Sequence, residues 1–171
     1  CGVAFMLLET ANQQELTRQI ARVFKKQLDE TEHPVNVVSW DFDRGYVDRL
    51  GESPLAENAK KPDVAMSQAY KLATSSQLND TVIVVQNAHR FIKDIKVTQP
   101  MCNLRDRFEE VCSTLVLLAP LGAFSGDEAV PLELASDVIQ DEENLPEKAE
   151  VKEMVETLID DFNGHIEQQK K

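Results

Sequence analysis

The sequence predicts an α/β fold: a five-stranded, mostly parallel sheet with helices on both faces. Apolar, β-branched runs alternate along the chain with segments of helical periodicity. The strongest runs, Val3–Leu8, Thr81–Val85 and Thr114–Leu118, are apolar at nearly every position, as strands covered on both faces must be.

Val3–Leu8 reads as the first strand. Thr10 stands three residues before Gln13, the spacing of a capping box, so a helix is expected to start there. Leu16, Ile20, Val23, Phe24 and Leu28 would form its buried stripe. His33-Pro34 breaks that helix, and Val35–Trp40 reads as the second strand. The stretch 41–62 is polar and carries Gly45, Gly51, Pro54 and Pro62, which predicts a loop with at most a short helical turn.

Asp63 can cap a helix reaching about Gln77, with Val64, Ala65, Ala69, Leu72 and Ala73 inward. Asn79-Asp80 turns the chain into Thr81–Val85, its most β-branched stretch. A connector containing Pro100 leads to a helix marked by Leu104, Phe108 and Val111, and Pro120 ends the strand that follows. After a loop over Leu121–Val130, a short helix is expected around Leu132–Ala135 and a weak strand around Val138–Gln140. Pro146 opens a last helix whose apolar positions are Val151, Met154, Val155, Leu158, Ile159 and Phe162, with Asn163-Gly164 as its stop. This divides the chain into an α/β domain over 1–145 and an acidic C-terminal helix over 146–171, either a lid fragment or a linker to a further domain.

At 171 residues and 42% hydrophobic content, one packed domain is expected. The apolar runs are far shorter than the ~18 residues of a membrane span, and no secretory leader is visible. Cys1, Cys102 and Cys112 lack the spacing of a disulfide framework or a zinc site, which fits reduced thiols and a cytoplasmic protein. The net charge of −12 is concentrated beyond residue 126, where 14 acids face 4 bases. Such a surface repels phosphate backbones, so nucleic acid is not an expected partner.

In a phosphate-loop ATPase the turn after the first strand is Gly-rich and closes with Lys and Ser or Thr, so that backbone N–H groups and a cation reach the phosphates. The corresponding turn here is Glu9-Thr10-Ala11-Asn12-Gln13. It has no Gly and no Lys, and Glu9 puts a negative charge where phosphate would lie. Such ATPases also place acids after a later strand, for Mg²⁺ and for the attacking water. Here Gln86-Asn87 follow Thr81–Val85. Amides supply neither the charge nor the basicity. His89 has no nucleophile or carboxylate placed beside it by the sequence, and His33 and His165 are too dispersed for a metal site.

The runs Thr81–Ile92, Asn103–Phe108 and Thr114–Pro120, with Pro131–Leu134, the acidic Asp141–Glu143, Leu145-Pro146 and Trp40–Gly45, resemble one group of AAA+ proteins. In these bacterial, phage-borne and chloroplast proteins an ATPase-like N-terminal region lies ahead of a functional AAA+ domain. The resemblance spans most of residues 3–160, and Gly122–Val130 departs from it as an apparent insertion. It implies a phosphate-loop-type fold in which the loop has been lost. It also implies no catalytic residue and no cofactor for this region, with ATP and Mg²⁺ used only by the full-length protein. AAA+ ATPases further carry a polar residue ending the fourth strand and an Arg near the fifth; here Leu118-Ala119-Pro120 ends the fourth, and no Arg or Lys lies between Leu121 and Gln140.

The expected role is therefore non-catalytic: oligomerisation or protein-partner recruitment, with Trp40, Asp41, Arg44, Arg105 and Arg107 as interface candidates. An alternative is an atypical nucleotide- or phosphate-ester-binding enzyme built on Glu9–Gln13, Asp41, Asp43 and Arg44, since such folds bind ligands at the carboxyl ends of strands. A receiver-like signalling domain would need an acidic cluster that a lone Glu9 and Gln86-Asn87 do not supply.

Overall fold

A computed structural model describes residues 4–30, 35–48, 53–56, 59–74, 81–111, 113–124, 130–135 and 138–142. Its sheet contains β1 (Phe5–Glu9), β2 (Asn36–Asp41), β3 (Gly45–Asp48), β4 (Ser53–Ala56), β5 (Thr81–Val85), β6 (Thr114–Ala119) and β7 (Val138–Glu142). The helices are α1 (Gln13–Glu30), α2 (Pro62–Thr74), α3 (Ile95–Glu110) and α4 (Leu132–Ala135), with a 3₁₀ turn at Ala88–Arg90.

The strands lie in the order β4-β3-β2-β5-β6-β1-β7. Five of them, β2, β5, β6, β1 and β7, pair in parallel, as the alternating pattern predicts. β1 lies between β6 and β7, one strand in from the β7 end of the sheet.

The sheet is two strands wider than expected. The stretch read as loop instead forms β3 and β4, which extend the β2 edge as antiparallel strands. Two four-residue strands are too short to register as a period-two pattern. Pro54 is tolerated because β4 is the outermost strand, where a missing N–H costs no ladder bond to a further neighbour.

Alternation along each strand builds two cores. On one face Phe5, Leu7, Trp40, Ile83, Val85, Leu115 and Leu117 pack with Ala65, Met66 and Ala69 of α2 and Val97, Met101, Leu104 and Phe108 of α3. On the other, Val37, Val82, Val84, Val116 and Leu118 meet Leu16, Ile20, Ala21 and Phe24 of α1. Helices thus cover both faces.

Two helices differ from their sequence pattern. In α1, Val23 is 57% exposed, because the buried face is rotated toward Thr17 and Ala21. α3 begins at Ile95 and includes Pro100, which had read as part of a connector. Asp94 caps α3, its carboxylate accepting from the Lys96 amide at 2.9 Å and its carbonyl from the Val97 and Thr98 amides. That anchored first turn, with Thr98 Oγ1 bonded to the Ile92 carbonyl at 2.7 Å, carries the helix through the one hydrogen bond that Pro100 cannot make. The helix expected from Pro146, and with it the 145/146 boundary, lies outside the described residues.

Candidate functional site

The carboxyl ends of β1 and β5, the start of α1 and the loop after β6 converge where a fold of this class places its ligand. Glu9 ends β1, and the ladder continues one residue further, Thr10 N–H donating to the Ala119 carbonyl at 2.9 Å. The helix is capped by Asn12, not by Thr10 as the spacing suggested. Asn12 Oδ1 accepts from the Glu15 amide at 3.1 Å, and Thr10 Oγ1 accepts from the Asn12 amide at 3.1 Å. Thr10 is buried at the strand end and shapes the turn, while Ala11 and Asn12 are exposed.

With the cap moved to Asn12, the Gln13 side chain is released from the capping role and reaches Asn87 across 74 residues of chain. Its Oε1 accepts from the Asn87 amide at 2.8 Å, and its Nε2 donates to Asn87 Oδ1 at 3.3 Å. Asn87 sits at φ 58°, the left-handed region that Asn tolerates better than most residues. One turn along α1, buried Thr17 accepts from Gln86 Nε2 at 3.2 Å and donates to the Gln13 carbonyl at 2.7 Å. Gln86 is buried, and its amide donates to the Trp40 carbonyl at 3.0 Å. The start of α1 and the residues after β5 are thus bonded to each other through neutral groups.

Glu9 is only 8% exposed, and its carboxylate is held by the loop after β6. The Gly122 amide donates at 3.0 Å and the Phe124 amide at 2.5 Å. Gly122 has φ 73°, which turns successive N–H groups toward one point. Such a concavity of amides takes anions, and here it takes the chain's own carboxylate. The segment that departs from the resembled pattern begins with this clasp.

The remaining candidates do not join this site. Trp40 is fully buried, so it is a core residue and not part of an exposed interface. Its Nε1 donates to the Ala59 carbonyl, and its ring packs edge-on against Phe91 at 5.5 Å and tilted against Phe42 at 5.1 Å. Asp41 closes the β2–β3 turn: Oδ1 accepts from the Asp43 and Arg44 amides at 2.9 and 2.8 Å, and Oδ2 meets the Arg44 guanidinium at 2.7 Å. This local pairing commits Asp41 and Arg44 to the turn, which ends at Gly45 with φ 70°. Arg105 and Arg107 lie in the last turns of α3, near the start of β6, at the opposite end of the sheet from the Trp40–Arg44 turn. Arg107 pairs with Glu110 at 2.8 Å.

Burial alone would raise the Asp41 carboxyl, but the Arg44 amide and guanidinium and the Asp43 amide outweigh it and hold its pKa below 3.8. A group depressed on folding stabilises above its unfolded pKa and loses that contribution as pH falls through its folded value. Asp41→Asn is expected to cost about 1 kcal/mol at pH 7. That difference should begin to shrink as acid denaturation curves are taken below pH 3.8, the unfolded value, and vanish once the pH lies below the folded value. His89, in the 3₁₀ turn, is held below 6.5 by burial and by Arg90, and its Nδ1 is buried without a partner.

Sequence reasoning missed Thr17, Gly122 and Phe124. A polar residue one turn beyond Gln13, inside an otherwise apolar helix face, was the available signal for Thr17. Nothing local marks the loop amides. Among the described residues no three His, Cys, Asp or Glu side chains gather as a metal group, and no helix is long and apolar enough to cross a membrane.

Two solved structures are similar in outline. One is an ATPase, 9% identical, with a TM-score of 0.48, covering 81% of this chain and 65% of its own. The other is Thermomonospora curvata EccC (ATPases 2 and 3) in complex with a signal sequence peptide, 12% identical, with a TM-score of 0.46, covering 81% of this chain and 29% of its own. The chain therefore spans less than two thirds of either protein. No curated protein matches it. The sequence profile of the SpoVK-like AAA ATPase N-terminal domain matches residues 1–140, and the chain belongs to that family.

Proposed function

We propose that this domain is a non-catalytic AAA+ module, kept for oligomerisation or partner recruitment, with ATP and Mg²⁺ handled by a catalytic domain elsewhere in the full-length cytoplasmic protein. One observation supports this above the rest: Glu9 occupies the amide concavity at the end of β1, while Gln13 and Thr17 are bonded to Asn87 and Gln86. A nucleotide would have to displace a buried carboxylate, break these bonds, and leave its phosphates facing a negative charge with no Lys in the turn. The residues do not fit ATP·Mg²⁺, and no catalytic step is assigned to them.

The reading as a phosphate-ester enzyme is weakened because Asp41 and Arg44 satisfy one another in the β2–β3 turn. Isothermal calorimetry with ATP and Mg²⁺ tests the proposal. No saturable heat is expected. Micromolar binding that Glu9→Ala or Asn12→Ala abolishes would overturn it.

A further inference from the structure

Helices α2 and α3 both pack on the larger core, and a groove lies between them. Val64 and Gln68 of α2 and Ile95, Gln99 and Pro100 of α3 line about 500 Å³ of it. Ile95 also borders a second hollow, of about 310 Å³, that reaches Leu132. Neither large side chain serves the core. Val97, Met101 and Leu104 take the buried face of α3, and Ile95, two positions before Val97, stands about 200° round the helix from it. In α4, Leu134 is buried while Leu132 points outward. Ile95 is 65% exposed and Leu132 90%, and apolar side chains gathered around adjoining hollows mark a contact surface in a way that scattered ones do not.

The charge here opposes that of the chain. Segments 60–71 and 90–100, which carry both walls of the groove, hold Lys60, Lys61, Lys71, Arg90, Lys93 and Lys96 against only Asp63 and Asp94, a net of +4. All six cations are exposed. The whole chain carries −12, so everything outside these two segments carries −16. Asp94 is moreover occupied in capping α3.

This combination selects the occupant. Cations set around the groove call for carboxylates opposite them, and the exposed Ile95 and half-exposed Val64 between them call for apolar anchors. A phosphodiester backbone supplies the charge without the anchors, and its length would bring it against the acidic remainder of the chain. A short amphipathic helix with an acidic border supplies both, and a trough between two helices is the shape that such a helix fills.

Resting on the partner-recruitment reading, we propose that the α2–α3 groove docks an acidic amphipathic helix of a partner protein. Its apolar stripe covers Ile95 and Val64, and its carboxylates meet Lys71 and Lys96.

The probe is a fluorescein-labelled peptide of about four helical turns, with Leu at i, i+3, i+4 and i+7 spacing and Glu and Ala elsewhere. Titrated with the 171-residue chain, its anisotropy should saturate with a Kd on the order of 10–100 μM and weaken about tenfold between low and high salt. Amide chemical shifts should move at 64–71 and 95–100. Lys71→Glu with Lys96→Glu, and separately Ile95→Asp, should each weaken binding at least about tenfold at little-changed thermal stability, since all three side chains are exposed. Absence of saturation overturns the proposal, as does binding indifferent to these substitutions. Equal binding of a scrambled peptide of the same composition, or of a single-stranded oligonucleotide, overturns it too, because the groove would then read charge alone. So does self-association of the chain that Ile95→Asp abolishes, since a second copy would then be the occupant. A chain that binds neither peptide nor ATP loses only this groove and keeps the non-catalytic reading, whereas saturable ATP binding removes that broader reading whatever the peptide does.

Discussion

Replacing Glu9 by alanine is expected to lower the stability of the domain by about 3 kcal/mol, among the larger effects of any single polar substitution here. The carboxylate accepts from both the Gly122 and Phe124 amides at the end of β1, and it is buried. Hydrogen bonds to an ionised acceptor exceed neutral ones, and truncation removes that acceptor from both bonds. For a domain of this size the thermal midpoint should fall by about 6–12 °C. Glu9→Gln should lie between, because its amide keeps one acceptor oxygen but turns an N–H toward one of the loop donors. Hydrogen exchange should show the loop at 121–124 opening first. A loss under about 0.5 kcal/mol, the range of ordinary surface changes, would mean that the loop holds without the clasp.

The clasp joins the end of β1 to the loop after β6. Glu9 is unfavourable for nucleotide, and the loop after β6 turns that same charge into a structural anchor.

Trp40→Ala is expected to cost about 4 kcal/mol, as for other large aromatic truncations in cores. The ring is fully buried, touches Phe42 and Phe91, and ties the end of β2 to Ala59 just before α2 through its indole N–H. Trp40→Phe should keep most of the packing and lose about 1–2 kcal/mol for the unpaired Ala59 carbonyl. Urea denaturation followed by circular dichroism measures both. The chain has a single Trp, so native fluorescence reports this position directly: emission should be blue-shifted in the folded protein and move red across the unfolding transition. Native emission at the wavelength of exposed indole would contradict the packing described.

Much of the fold was legible because its strands are local and apolar throughout. Val82, Ile83, Val84 and Val85 are buried on both faces, and the run itself announces that. The antiparallel extension was not legible, since Gly45–Asp48 and Ser53–Ala56 become strands only by pairing with β2 and with each other. Pro100 misled for a related reason. Its cost to a helix is local, whereas the packing of Val97, Met101 and Leu104 that offsets it is tertiary.

By itself the sequence determined the alternation of strands and helices, the absence of Gly and Lys from the turn after β1, and the placing of two amides, Gln86 and Asn87, after Thr81–Val85. These are properties of residue type and spacing along one stretch of chain. Only the tertiary structure decided what these residues do. Gln13 meets Asn87 across 74 positions, Gln86 meets Thr17 across 69, and Glu9 meets Phe124 across 115. Hydrogen-bond partners at such separations are chosen by how strands are ordered and loops returned, and a short polar side chain carries no local mark of the partner it will find.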